Sequence, residues 1–210
     1  MIERGIYGGT FSPIHNGHVR AANAFYDLLS LDELLVVPTF LPPHKTEAIG
    51  CAPEERFAMA CLAFEDNPRR VTVSDYEILS GGTSYTYKTL MHFSAPDVRL
   101  TFLCGTDMFL TLPQWKNPEK LFALSRIAHV RRTELSSETE EAVLRCTEEY
   151  RRVYGGDILH LTLPPCEISS TMVRDRCSRG ETIADLVPPS VHDYITAHRL
   201  YGNPAVGGLS

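Results

Sequence analysis

Near the start of the chain, Gly8-Gly9-Thr10-Phe11-Ser12-Pro13-Ile14-His15-Asn16-Gly17-His18 sets two adjacent glycines ahead of two histidines three residues apart. Adjacent glycines let a ligand approach the backbone closely, and a helix start offers unpaired N–H groups and the positive end of a dipole, so this stretch suits an anion. With a helix expected to begin near His18, both rings can donate hydrogen bonds to phosphoryl oxygens of one ligand. Neither the G-x-x-x-x-G-K-[ST] loop nor the G-x-G-x-x-G fingerprint occurs, so the phosphate chemistry is of another kind. Two plainer readings stand beside this one. The pair can be structural, and H-x-x-H can be half of a metal site, although no H-E-x-x-H or paired C-x-x-C is present to complete a zinc centre.

A second cluster, Ile168-Ser169-Ser170-Thr171-Met172-Val173-Arg174, follows an expected strand and opens an expected helix, combining hydroxyls, backbone N–H groups and a guanidinium. Alone it reads equally as a helix cap followed by a surface arginine. Two anion-ready helix starts in one chain suit a ligand with several phosphates at the carboxyl ends of an open parallel sheet, and a triphosphate nucleotide is the leading expectation.

These residues need a frame. The chain has 210 residues, 43% of them hydrophobic and 22% charged, which fits an ordinary folded chain and excludes a disordered or fibrous one. Twenty Lys plus Arg against 26 Asp plus Glu gives a formal charge of −6, the wrong sign for binding long nucleic acids. The six cysteines show no C-x-x-C spacing, no apolar run approaches the ~18 residues of a membrane span, and no signal-peptide stretch opens the chain. The expectation is a cytoplasmic protein with neither a nucleic-acid nor a membrane partner.

Short apolar runs alternate with stretches of helical period, which implies parallel strands with crossover helices: an α/β fold, as a Rossmann-like doubly wound parallel sheet with flanking helices. Gly5 to Tyr7, Leu34 to Val37, Val71 to Val73, Val98 to Leu103, Arg126 to Val130 and Ile158 to Leu163 read as strands. Between them, a helix carries Ala21, Ala22, Phe25 and Leu28. Pro53 starts another, with Phe57, Cys61 and Phe64 on one face, and Tyr85 to Phe93 forms a third. Ser137 and Glu140 make a capping-box pattern for a charged helix over 138–154 that ends at Gly155-Gly156. Pro188 to Tyr201 reads as the final helix. Residues 1–202 are expected as one domain and 203–210 as a flexible tail.

The first motif resembles the T/H-x-G-H signature of the nucleotidyltransferase superfamily, and Ile168-Ser169-Ser170-Thr171-x-x-Arg174 resembles the triphosphate signature of its adenylyltransferases. Pro42-Pro43-His44-Lys45, Ser84-Tyr85-Thr86 with Thr89-Leu90, Gly105-Thr106-Asp107 and Leu112-Pro113-Gln114-Trp115-Lys116 then resemble, in order, the markers of bacterial nicotinate-mononucleotide adenylyltransferases. The ending from Leu186-Val187-Pro188 to Leu200-Tyr201 is similar too. One departure is Ser12, where that family usually carries Asp or Asn.

The resemblance implies a reaction joining ATP to nicotinate mononucleotide, with Mg2+ held by the ATP phosphates rather than by protein side chains. It implies His18, His15 and Arg174 as catalytic residues. Gly8, Gly9, Thr10, Phe11, His15, His18, Gly105, Asp107, Ser170, Thr171 and Arg174 would bind ATP; Lys45, Tyr85, Thr86 and Trp115 would bind the acceptor. A phosphomonoester has a second pKa near ~6, so the attacking oxygen is ionised at neutral pH and no general base is needed. Trp115, the only tryptophan, lies in a proline-flanked loop where it can stack on a pyridine. Alternatives are the same chemistry on nicotinamide mononucleotide or another phosphomonoester, or a non-catalytic nucleotide-binding regulator.

Overall fold

The computed structural model describes residues 1–43, 50–131, 136–163 and 166–202. Lys45 and the 203–210 tail, which carried two of the expectations above, lie outside them. In chain order the elements are β1 (Ile2–Gly9), α1 (Asn16–Leu28), β2 (Glu33–Pro38), α2 (Pro53–Phe64), β3 (Val71–Val73), α3 (Tyr76–Ser80) and α4 (Thr86–Phe93). They continue with β4 (Val98–Gly105), α5 (Thr106–Phe109), a 3-10 turn (Leu112–Gln114), α6 (Pro118–Leu124), β5 (Ser125–Arg131) and α7 (Ser137–Tyr154). The last are β6 (Ile158–Thr162), α8 (Ser170–Ser178), α9 (Pro189–Ala197) and a 3-10 turn (Leu200–Gly202). No helix among the described residues is long and apolar enough to cross a membrane.

The strands form one parallel sheet in the order β3-β2-β1-β4-β5-β6, the doubly wound Rossmann order. Parallel strands bury both faces, which is why they read as apolar runs rather than as alternating ones. Ile6, Phe102, Ile127 and Ile158 meet Leu90 of α4, Leu121 of α6 and Tyr150 of α7 on one face. Tyr7, Val36, Leu103 and Ala128 meet Phe25 of α1, Met59 of α2, Val173 of α8 and Ile195 of α9 on the other. The chain changes faces between β1 and β4, so a crevice opens at the carboxyl ends of those two strands.

The departures from the expected elements have physical causes. Helix α2 buries Arg56, Met59, Ala60 and Phe64, and leaves Phe57 and Cys61 half-buried, because apolar residues on several sides let its periodicity choose no single face. Helix α7 is capped by Ser136 rather than Ser137: Ser136 Oγ accepts from the Thr139 N–H at 3.2 Å, and Glu140 is drawn instead to Arg131 at 2.6 Å. Its other end is as expected, with Gly155 in the left-handed region at φ 63°. The final helix stops at Ala197. The backbone then turns through positive φ at Arg199 and Tyr201, carrying the Tyr201 hydroxyl to within 2.8 Å of Cys51 Sγ and 3.3 Å of Ser12 Oγ.

Under α7 a buried histidine meets an exposed one: His129 on β5, 3% exposed, lies Nδ1 to Nδ1 at 3.0 Å from His160 on β6. Burial, then His160 and Arg131, pull His129 down to about 4, and burial together with Arg151 lowers His160. A histidine neutral in the fold protonates more readily when unfolded, so its contribution is complete above the ordinary value of 6.5 and is lost as pH falls toward about 4. The melting temperature should therefore drop across that window, and a His129→Leu variant should show a flatter profile there; parallel profiles would refute this coupling.

Candidate active site

Two cavities flank the ends of β1 and β4. The smaller, about 570 Å³, is bordered by Gly8, Gly9, Phe11, His18, Thr106 and Asp107. The larger, about 760 Å³, is bordered by Thr10, Glu77, Tyr85, Thr86, Gln114 and Trp115. Gly8, Gly9 and Met108 line both, so the glycine pair is the floor over which two ligands would meet. Pro42, Pro43 and Lys116 of the sequence motifs border the larger cavity as well.

The loop from Thr10 to His15 is shaped by contacts no linear motif displays. Phe11 adopts positive φ, 48°, and lays its ring where a side chain on Gly9 would be, so a Cβ there would sit 2.7 Å from the ring. The His15 N–H donates to His18 Nδ1 at 3.3 Å, and the two rings stack with centroids 3.7 Å apart. With Nδ1 accepting, neutral His18 carries its proton on Nε2 and can donate from there into the smaller cavity. His15 lies behind His18 at 2% exposure, as a support rather than a part of the wall. Helix α1 begins at Asn16, earlier than expected. The Asn16 N–H is taken by Leu186 O at 2.9 Å and the His18 N–H by His15 O at 2.8 Å, so what α1 offers an anion is chiefly the His18 ring. Gly17 is required because a Cβ would meet Cys166 Sγ at 2.8 Å and the His15 ring at 3.0 Å.

The second motif is brought against the first, in an unexpected sense. Ser170 Oγ donates to Pro13 O at 2.9 Å, and Arg174 donates to Ser12 O at 2.7 Å and to Thr171 Oγ1 at 3.1 Å. Ser169 caps α8 by accepting from the Met172 N–H. Here Ser170, Thr171 and Arg174 brace the back of the loop.

In the larger cavity Tyr85 is the N-cap of α4 and Thr86 its first residue, and Trp115 is half-buried with its indole N–H donating to Thr111 Oγ1 at 3.3 Å. Sequence reading missed the buried groups that hold this wall. Glu77 accepts from the Thr89 hydroxyl, and burial raises its carboxyl while Ser84, Thr89 and Arg56 pull it back. Ser84 Oγ accepts from the Phe40 N–H at 2.9 Å. Arg56, with no exposure, donates to Thr10 O at 2.7 Å and Phe40 O at 2.9 Å. A charged residue in line with Met59 and Ala60 on an apolar helix was the one available signal.

A cytidylyltransferase-like family model matches residues 6–176. A probable nicotinate-nucleotide adenylyltransferase of Clostridium acetobutylicum is 39% identical over 96% of this chain and the whole of that protein. The chain belongs to the nicotinate-nucleotide adenylyltransferase family. The fold of the family's members agrees with it: Plasmodium falciparum nicotinic acid mononucleotide adenylyltransferase superposes with TM-score 0.69 complexed with NaAD and 0.66 complexed with APC. Both share 19% identity and cover 97% of this chain and 99% of theirs. The Ser12 hydroxyl, at the position where the resemblance leads one to expect Asp or Asn, lies 3.3 Å from the Tyr201 hydroxyl and 3.9 Å from Cys51 Sγ.

Arg56→Met should remove two hydrogen bonds and leave the Thr10 and Phe40 carbonyls buried, costing about 3 kcal/mol. Urea unfolding measures this, and a midpoint equal to that of the wild type would show that the guanidinium does not hold the two loops.

Proposed function

We propose that this adenylyltransferase moves the adenylyl group of ATP to the phosphate of nicotinate mononucleotide, giving nicotinate adenine dinucleotide and pyrophosphate. The observation that carries the reading is the shared floor at Gly8-Gly9, with a cavity on either side sized for a small ligand. ATP takes the smaller cavity, with its α-phosphate over the glycines, and the acceptor takes the larger one. The relatives' names and the ligands of the Plasmodium enzyme support the same pair.

The acceptor phosphate arrives ionised, so the work is alignment and charge neutralisation. His18 Nε2–H donates to a phosphoryl oxygen as negative charge builds on the α-phosphate. Thr10 and the glycine N–H groups sit beside it. Asp107, exposed at the edge of the smaller cavity, accepts from a ribose hydroxyl. Arg174, with Ser170 and Thr171, serves the departing pyrophosphate by exchanging Ser12 O for phosphate oxygen. Trp115 stacks on the pyridine, and the N–H groups of Tyr85 and Thr86 receive the nicotinate carboxylate, which the neutral amide would satisfy less well. Lys45 is assigned to the acceptor phosphate from its place after Pro42-Pro43-His44.

Nucleotidyl transfer generally uses a divalent cation, and we assign Mg2+. In this reading the ion is held by the ATP phosphate oxygens rather than by protein side chains, and Asp107 and Thr106 are among the oxygen-bearing side chains that border the ATP cavity. Bound there, the ion neutralises phosphate charge. The reading places the reaction in the cytosol.

Pyrophosphate release with ATP and Mg2+ should occur chiefly with nicotinate mononucleotide, more slowly with nicotinamide mononucleotide and not with phosphopantetheine. Faster release with the amide would overturn the acceptor assignment, and none with any acceptor would favour the inert nucleotide-binding regulator. His18→Ala should lower kcat about a hundredfold while ATP affinity changes little; an unchanged kcat removes the role given to that ring.

A further inference from the structure

Beside the smaller cavity, a line of side chains runs from Thr106 across β5 and β6 to α7. Thr106 Oγ1 lies 3.1 Å from His129 Nε2, His129 Nδ1 lies 3.0 Å from His160 Nδ1, and His160 Nε2 lies 3.2 Å from Thr147 Oγ1. The line ends at a backbone carbonyl, because the Thr147 hydroxyl donates to Val143 O at 2.7 Å. That end sets the direction of every proton. A hydroxyl has one hydrogen, and Thr147 has committed it to Val143, so Thr147 must accept from His160 Nε2–H. Neutral His160 then has a lone pair at Nδ1, and His129 must donate from its own Nδ1. This leaves His129 Nε2 as an acceptor, and only the Thr106 hydroxyl can supply the hydrogen. Burial holds His129 below the ordinary histidine value, and partial desolvation with Arg151 lowers the more exposed His160, so both are neutral at pH 7, the state this assignment needs.

We infer that the His129–His160–Thr147 line turns the Thr106 hydroxyl hydrogen inward and leaves its lone pairs facing the smaller cavity, making Thr106 an acceptor that positions a hydrogen-bond donor of bound ATP. The donor is a ribose hydroxyl or the exocyclic amine of the base. The inference rests on the reading that ATP occupies this cavity, whose border Thr106 shares with Gly105 and Asp107. A ligand presenting an acceptor at that place would face lone pairs and be disfavoured. His129 and His160 are positioning residues that act through Thr106.

The test is equilibrium binding of ATP, by calorimetry near neutral pH, to the wild type, Thr106→Val, Thr106→Ser, His160→Phe and the Thr106→Val/His160→Phe double variant. Losing one directed hydrogen bond should weaken ATP about tenfold in Thr106→Val, with Thr106→Ser restoring it. His160→Phe frees His129 to change tautomer, and should weaken ATP in the wild-type background but add nothing to Thr106→Val. Equal affinities of the wild type and Thr106→Val overturn the inference, as does an equal loss from His160→Phe in both backgrounds, which is what a merely structural role would give. On the wild type, 2′-deoxyATP, 3′-deoxyATP and the triphosphate of purine riboside separate ribose from base: the analogue lacking the donor should bind about tenfold more weakly than ATP. If all three match ATP, the inference fails whatever the variants do. Pyrophosphate release by the wild type runs in parallel. Turnover with equal affinities overturns this inference alone; loss of ATP in Thr106→Val without wild-type turnover overturns the catalytic reading alone; no ATP binding to the wild type overturns both.

Discussion

Taking a guanidinium out of water costs several kcal/mol unless hydrogen bonds and nearby negative charge offset it, and Arg56 is fully buried. Its two η-nitrogens hold the carbonyls of Thr10 and Phe40, the backbone just past β1 and just past β2. Burial lowers its proton affinity, and Cys51, Tyr201 and two glutamates, Glu54 and Glu77, work the other way. Both cavities depend on that tie. Thr10 borders the larger cavity and leads into the loop that carries His18, while the Phe40 N–H is bound by Ser84, the residue before Tyr85 and Thr86. One cation thus couples the Thr10–His15 loop to the wall of the larger cavity.

The glycines of the site divide by what demands them. At Gly9 and Gly17 the protein itself fills the space, with the Phe11 ring in one case and the His15 ring and Cys166 in the other. At Gly105 a Cβ would meet nothing within 4 Å, and at Gly8 only the Phe102 ring at 3.8 Å. The fold leaves room for a side chain at those two positions, which border the cavity proposed for ATP. Glycines on one floor therefore answer to different pressures, a distinction that a motif written as letters conceals.

Much of the frame was legible because parallel strands buried on both faces write themselves as apolar runs; Leu34 to Val37 and Val98 to Leu103 lie inside β2 and β4. The family was legible from six short motifs in order. Short elements such as α3 and α5 carry too few residues to show a period. The split of roles between His15 and His18 was not legible either, since equal spacing and identical side chains say nothing of which ring is stacked behind the other. Ser170 and Arg174 bond carbonyls 157 and 162 residues away, a pairing that no spacing within the second motif displays. Arg56 and Glu77 escaped for a related reason: a buried charge is chosen by partners distant in sequence.

The Ser12 hydroxyl meets Tyr201 across 189 residues. Phe11 to His15 are made before the turn that carries Tyr201. The six strands, all before residue 163, can pair during synthesis, but the loop between the cavities gains this contact only after Tyr201 has been made. Nascent protein therefore completes the Thr10–His15 loop only after the strands that surround it have been made.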